Sequence, residues 1–321
     1  MRDTQPSIPY GDWLRGARRG RAPGGAAFLA LVAVLVVAVG AGWTRGRGAG
    51  QTGTAGAAQS SYLGFDANDY PGDAALAGLR RTFAFAGYWL NAPPGGSTKP
   101  WTGKREILRR AGFGFLVLFN GRLQRDLRNP SRATMLGKGD AASAAQAARR
   151  EGFPLGTTIF LDQEEGGAME AEQMAYIEAW VKGVRAAGFR TGIYCSGMPA
   201  AAGKGVLVTT AADIRARFEP RGAAEGIAFF VYNDACPPSP GCAYAKEPPS
   251  PAASGIAFAS VWQFAQSPRR RKYTGACSGT YGRDGNCYAP GQGPGTPFLD
   301  IESARTEDPS GGNATFRQVI R

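Results

Sequence analysis

The chain has 321 residues, 43% of them hydrophobic and 19% charged, which is enough for a large domain with its own core and excludes wholesale disorder. Its 47 Gly and 22 Pro follow neither a collagen period nor any repeat of fixed length, so they mean many turns and not a fibre. Histidine is absent, which removes Ser-His-Asp and Cys-His nucleophiles, His-ligated zinc and imidazole acid-base chemistry in one step.

Any catalysis must therefore use carboxylates, Tyr, Lys, Cys or Ser. The formal net charge of +12 favours an anionic partner, but it is spread along the chain. Outside PRRRK (268–272) no basic run forms a stripe, so no nucleic-acid partner is expected. That run is read as a solvated loop charge.

Residues 1–25 form a basic N-terminus with Arg15, Arg18, Arg19 and Arg21. From Ala26 to Trp43 follow 18 residues without a charge, the length and flank of a transmembrane helix or a long signal peptide. The Arg cluster keeps the N-terminus in the cytoplasm, so the expected location is extracytoplasmic, anchored to the inner membrane or secreted. Residues 44–61 are rich in Gly, Ala, Ser and Thr, the composition of a flexible linker.

Eight strand-like runs follow: 62–69, 82–90, 113–121, 156–164, 190–197, 227–235, 258–266 and 297–303. Helical patterns at 104–112, 140–152, 171–188 and 211–218 separate several of them. No GxGxxG turn follows the first run, which argues against a doubly wound sheet. The expected fold is α/β, an irregular (β/α)8 TIM-type barrel over 62–305 with a C-terminal tail at 306–321. Two crossovers, 236–257 and 267–296, are long loops, one with Cys236 and Cys242 and the other with Cys277 and Cys287. These spacings are compatible with two local disulfides, the rival being a four-thiolate zinc site. Cys195, in an apolar run, is read as a buried small hydrophobe.

Barrels of this kind carry chemistry at the C-terminal ends of their strands, and the polar residues gather there. They are Asp66, Tyr88, Asn120, Tyr194, Asn233, Asp234, Trp262, Gln263, Asp300 and Glu302. FLDQEE is the strongest signal: Asp162 and Glu164 share one strand face while Glu165 points to the other. Crowded carboxyls cannot all ionise, so one keeps a proton and can serve as an acid. The structural alternative for each acid is a rim ion pair with Arg or Lys. No metal and no cofactor is called for, since there is no DxDxDG loop for calcium.

The order of GFD, FLDQEE, QMAYIEAWVKGVRAAGFRTGIYCSG, WQF and FLDIES over residues 62–303 resembles a known bacterial family. This is the glycoside-hydrolase-like domain catalogued as domain of unknown function 1906, related to the lysozyme-type glycoside hydrolase family 25 barrel. The resemblance implies a glycosidase with Glu164 as general acid, Asp162 as partner carboxylate and Asp66 and Asp300 completing the pocket floor. Tyr194, Trp262 and Gln263 would line the sugar site, with Tyr88 and Asn233 as further strand-end candidates. The expected partner is a cell-wall glycan such as peptidoglycan. The other reading is a non-catalytic barrel that binds an envelope polysaccharide or envelope protein.

Overall fold

The computed structural model describes residues 61–203, 205–219, 226–233, 247–270, 282–289 and 291–313. The apolar run 26–43, most of the linker, Asp234, Cys236, Cys242 and Cys277 lie outside them. Among the described residues no helix is long and apolar enough to cross a membrane.

The eight strand-like runs become the eight strands of one closed barrel. They are β1 (Tyr62–Asp66), β2 (Phe85–Trp89), β3 (Gly114–Asn120), β4 (Thr158–Asp162), β5 (Arg190–Ser196), β8 (Ile227–Tyr232), β9 (Val261–Ser267) and β12 (Leu299–Ala304). Two short hairpins lie between them, β6 (Ala200–Ala201) with β7 (Leu207–Val208) and β10 (Arg269–Arg270) with β11 (Asn286–Cys287). Around the barrel the order is β1-β12-β9-β8-β5-β4-β3-β2.

The expected (β/α)8 arrangement needs a correction. Strands β1 to β5, β8 and β9 pair in parallel, but β12 is antiparallel to both of its neighbours, β9 and β1. A parallel strand needs a crossover that returns the chain to the starting end of the sheet. The segment between Ser267 and Leu299 contains only the β10–β11 hairpin among its described elements, so the chain re-enters the barrel from the end it has just left. The fold is mixed α/β with a closed eight-stranded barrel.

The helices are α1 (Leu76–Arg80), α2 (Arg105–Arg110), α3 (Gln124–Leu127), α4 (Pro130–Arg150), α5 (Ala171–Ala186) and α6 (Thr210–Phe218). Helix α4 starts ten residues earlier than its alanine-rich half indicates. Asn129 caps it by accepting from the Arg132 N–H at 2.9 Å, and Pro130 occupies the first turn, where its missing N–H costs nothing. Its buried face is made of small residues, Ala133, Gly137, Ala141, Ala144 and Ala148, which lets α5 approach closely. A Cβ on Gly137 would come within 2.4 Å of the Tyr176 carbonyl oxygen. Helix α5 begins with a reciprocal capping box between Glu170 and Gln173.

Strand register divides the residues of each strand between the barrel interior and the helix layer. Gly64 pairs with Phe85, Asn120 with Asp162, Asp162 with Tyr194, Tyr232 with Gln263 and Asp66 with Asp300, so all of these share the interior face. Its lower half is filled by large rings set against glycines: a Cβ on Gly64 would lie 2.0 Å from the Phe85 ring and one on Gly192 2.3 Å from Phe160. The N-terminal end near β3 and β4 is joined by residues 308–313, within the segment expected as a tail. Ser310 Oγ accepts from the Val117 N–H at 2.8 Å, its carbonyl accepts from the Thr158 N–H at 2.8 Å, and Asp308 accepts from the Phe115 N–H at 2.9 Å.

Two glycines make opposite predictions. A methyl group on Gly87 would lie 2.2 Å from the Asp66 Cβ, so Gly87→Ala should cost about 1–3 kcal/mol. Gly139 is exposed within α4 with open space around it, so Gly139→Ala should gain about 0.5–1 kcal/mol. Urea unfolding of the full chain checks both signs.

Candidate active site

The polar layer of the interior lies at the C-terminal ends of the parallel strands. Asp66 closes β1, Asp162 closes β4, and Asp300 sits near the start of β12, which runs the other way and so brings its first residues to this end. Glu302 lies one layer deeper, level with Gly64. Asp66 and Asp162 are 6% and 3% exposed, and Glu302 is fully buried. Asp300 and Glu164 are half-buried, Glu164 standing just beyond the end of β4.

Two glycines allow close approach around this layer. Gly87 leaves room for Asp66, and Gly121 allows its N–H to reach the Asp162 carbonyl at 3.1 Å, where a Cβ would collide at 2.5 Å. The neighbouring strands place Tyr194, Tyr232 and Gln263 on the same interior face by register. The Tyr194 ring packs against Phe230 with centroids 4.6 Å apart.

The loop that carries Glu164 is held by the next residue. Glu165 turns away from the interior, accepts from the Gln124 N–H at 2.6 Å and from Gln173 Nε2 at 2.9 Å, and so ties the loop after β3 to the first turn of α5. Alternation along FLDQEE predicts this direction; the bridging role it reveals had no signal in the sequence.

Two expected site residues are placed elsewhere. Tyr88 pairs with Val117 on the outer face of the barrel, where its ring packs against Trp101, Phe115 and Phe153 and its hydroxyl donates to Glu151. Trp262 alternates with the inward Gln263, is fully buried, and donates its indole N–H to the Asn233 carbonyl at 2.8 Å. Neither ring is presented to the pocket. Asn233, just past β8, uses its side-chain amide to hold the Ser254 carbonyl at 2.8 Å. Cys195 is a free thiol, fully buried, with its pKa pushed up by that burial; Cys287 is disulfide-bonded.

The acids act on one another. Burial raises Asp162 well above its ordinary value, and the charges of Glu164 and Asp66 raise it further. Burial is also the main cause for Asp66, followed by Asp300, while Glu302 works in the opposite direction and Glu164 adds to the rise. Glu302 is raised by burial first, then by Asp66 and Asp300. None of these three is paired with an Arg or Lys among the described residues, and both carboxyl oxygens of Asp162 lack a hydrogen-bond partner there. Arg122, on the loop after β3, is engaged with another acid: it holds Asp140 through two bonds of 2.7 and 2.9 Å. Among the described residues no group of three acids, Cys or His has the geometry of a metal site. The arrangement therefore offers buried carboxyls that hold a proton above the ordinary carboxylate range, the resource that acid catalysis uses.

These raised values make stability depend on pH in a defined sense. Folded Asp162 binds its proton more tightly than the unfolded residue, whose ordinary value is 3.8. Its favourable contribution is thus complete below that value and is lost as pH rises through the raised one. Asp162→Asn removes the penalty, so the variant should gain at least about 1 kcal/mol on the parent at pH 8 compared with pH 4. Urea unfolding at the two pH values measures it; an equal difference at both would contradict the assignment.

Residues 96–219 match the family model of the Rv2525c-like, glycoside hydrolase-like domain, from the segment before α2 to the end of α6. No curated protein matches the chain. Among solved structures, an uncharacterised B. stearothermophilus protein aligns at 20% identity over 76% of this chain and 95% of its own, with a TM-score of 0.49. The Tat-secreted protein Rv2525c of Mycobacterium tuberculosis aligns at 13% identity over 76% and 94%, with a TM-score of 0.42. The catalytic domain of endolysin ply40 from the Listeria monocytogenes bacteriophage P40 aligns at 13% identity over 77% and 95%, with a TM-score of 0.38. Over residues 96–219 the chain is thus similar to the Rv2525c-like, glycoside hydrolase-like domain.

Proposed function

We propose that this domain hydrolyses glycosidic bonds of a cell-wall glycan such as peptidoglycan, outside the cytoplasm. The observation that carries the proposal is the set of buried carboxyls at one end of the barrel, with Asp162 unpartnered and none of Asp66, Asp162 and Glu302 neutralised by a described cation. A rim ion pair, the structural alternative for these acids, would need such a cation.

Glu164 is the general acid in this reading. It is half-buried at the mouth, reachable by a substrate oxygen, and it interacts with both Asp162 and Asp66. Its proton goes to the leaving glycosidic oxygen as the bond to the anomeric carbon breaks; water then adds its oxygen to that carbon and gives up a proton that restores Glu164. Asp162, beneath it, is its partner carboxyl, and Asp66 completes the acidic wall on the β1 side. Asp300, Tyr194, Gln263 and, by register, Tyr232 contact the sugar.

Location outside the cytoplasm draws on two features. The uncharged run from Ala26 to Trp43 has the length of a membrane-crossing or export segment, and Cys287 is disulfide-bonded, which fits an oxidising compartment.

The test is release of new reducing ends from purified peptidoglycan by the full chain beside Glu164→Gln, a near-isosteric change that removes the proton donor. Release by the parent and a loss of at least about 100-fold in the variant are expected, the usual scale for a general acid. No release by a folded parent would favour the reading of a barrel that binds an envelope polymer without cleaving it.

A further inference from the structure

Glu302 is the most deeply placed acid of the cluster, and the roles above leave it unused. It is fully buried, and neither of its oxygens has a hydrogen-bond partner among the described residues. Its position is built by three local features. The register between β9 and β12 shifts between Ile301 and Glu302, so that Phe264 is an extra residue and Gln263 comes to lie opposite Glu302. Across the other edge Glu302 pairs with Gly64, which brings no side chain. One step along β1 from that glycine stands the inward Asp66, the ionisable group with which Glu302 interacts most.

The groups facing Glu302 are few. Strand β1 presents Asp66, its own strand presents Asp300, β9 presents the neutral Gln263, and β2 presents Phe85 and Gly87. With no described cation among them, Asp66 and Glu302 cannot both be ionised at close range. We propose that Glu302 is a positioning residue: its carboxyl, set in the dry layer beneath Asp66 by the β9–β12 bulge, stays neutral and leaves Asp66, nearer the mouth, as the charged member of the pair. The opposing effects of the two groups agree, Glu302 easing ionisation of Asp66 while Asp66 disfavours ionisation of Glu302. The consequence for turnover rests on the glycosidase reading; the division of charge does not.

Carboxyl-carbon NMR titration of the full chain, labelled at Asp and Glu, tests the division of charge directly. Asp66 should lose its proton before Glu302 does. Glu302→Leu should raise the Asp66 midpoint by at least about one pH unit, and Glu302→Gln, which keeps a neutral polar group beneath Asp66, should restore it. Ionisation of Glu302 ahead of Asp66, or the same Asp66 midpoint in a folded Leu variant, would overturn the proposal. If the Leu variant does not fold, the Gln variant decides: the later ionisation assigned to Glu302 must vanish, and its persistence would overturn the proposal. In the reducing-end assay the alkaline limb of the parent should be lost in Glu302→Gln. A parent without turnover but with the predicted titration would sink the glycosidase reading and leave the role of Glu302 standing.

Discussion

Several carboxyl groups share one end of a barrel interior, and a medium of low dielectric does not tolerate several negative charges at close range. Much of the structure around Asp66, Asp162 and Glu302 can be understood as managing that constraint. Strands with apolar lower halves exclude water from beneath the acids, while Arg122, on the loop after β3, is taken up by Asp140. What relieves the repulsion is protonation, and a proton kept by a carboxyl at neutral pH is the resource that acid catalysis requires.

The fold supplies the positions by omission as much as by contact. Gly87 and Gly64 face the interior without side chains, the first making room for Asp66 and the second lying opposite Glu302. The antiparallel course of β12 brings Asp300 to the same end as Asp66 and Asp162 while sending Glu302 deeper. A strictly parallel eighth strand would have reversed that order, placing the second acid of FLDIES nearer the mouth. Glu165, bonded to Gln124 and Gln173, shows the complementary device of an acid spent on holding the loop that carries its neighbour.

The eight strands were legible because each is a short apolar run bounded by turn residues, and the acids were legible because alternation puts residues two apart on one face. Strand direction was not, since nothing in the pattern of FLDIES distinguishes a parallel strand from an antiparallel one. The face of Tyr88 is not legible, because FAGYWL is apolar throughout and so carries no alternation; the inward glycine beside it is the usable clue. Trp262 and Gln263 cannot both line the interior, since adjacent residues on a strand do not share a face, and the extra Phe264 hides the register further. The early start of α4 is masked by Gly137 and Gly139, which weaken its first half, and is signalled only by Asn129-Pro130.

Mapping a soluble peptidoglycan fragment, a disaccharide carrying its stem peptide, onto the full chain by amide chemical shifts asks whether this end of the barrel is where a glycan goes. The account predicts that perturbations cluster at Asp66, Asp162, Tyr194, Tyr232 and Gln263, the interior residues at the strand ends. Perturbations confined to the opposite end, around Ser310 and Thr158, or a spectrum unchanged at millimolar fragment, would contradict it.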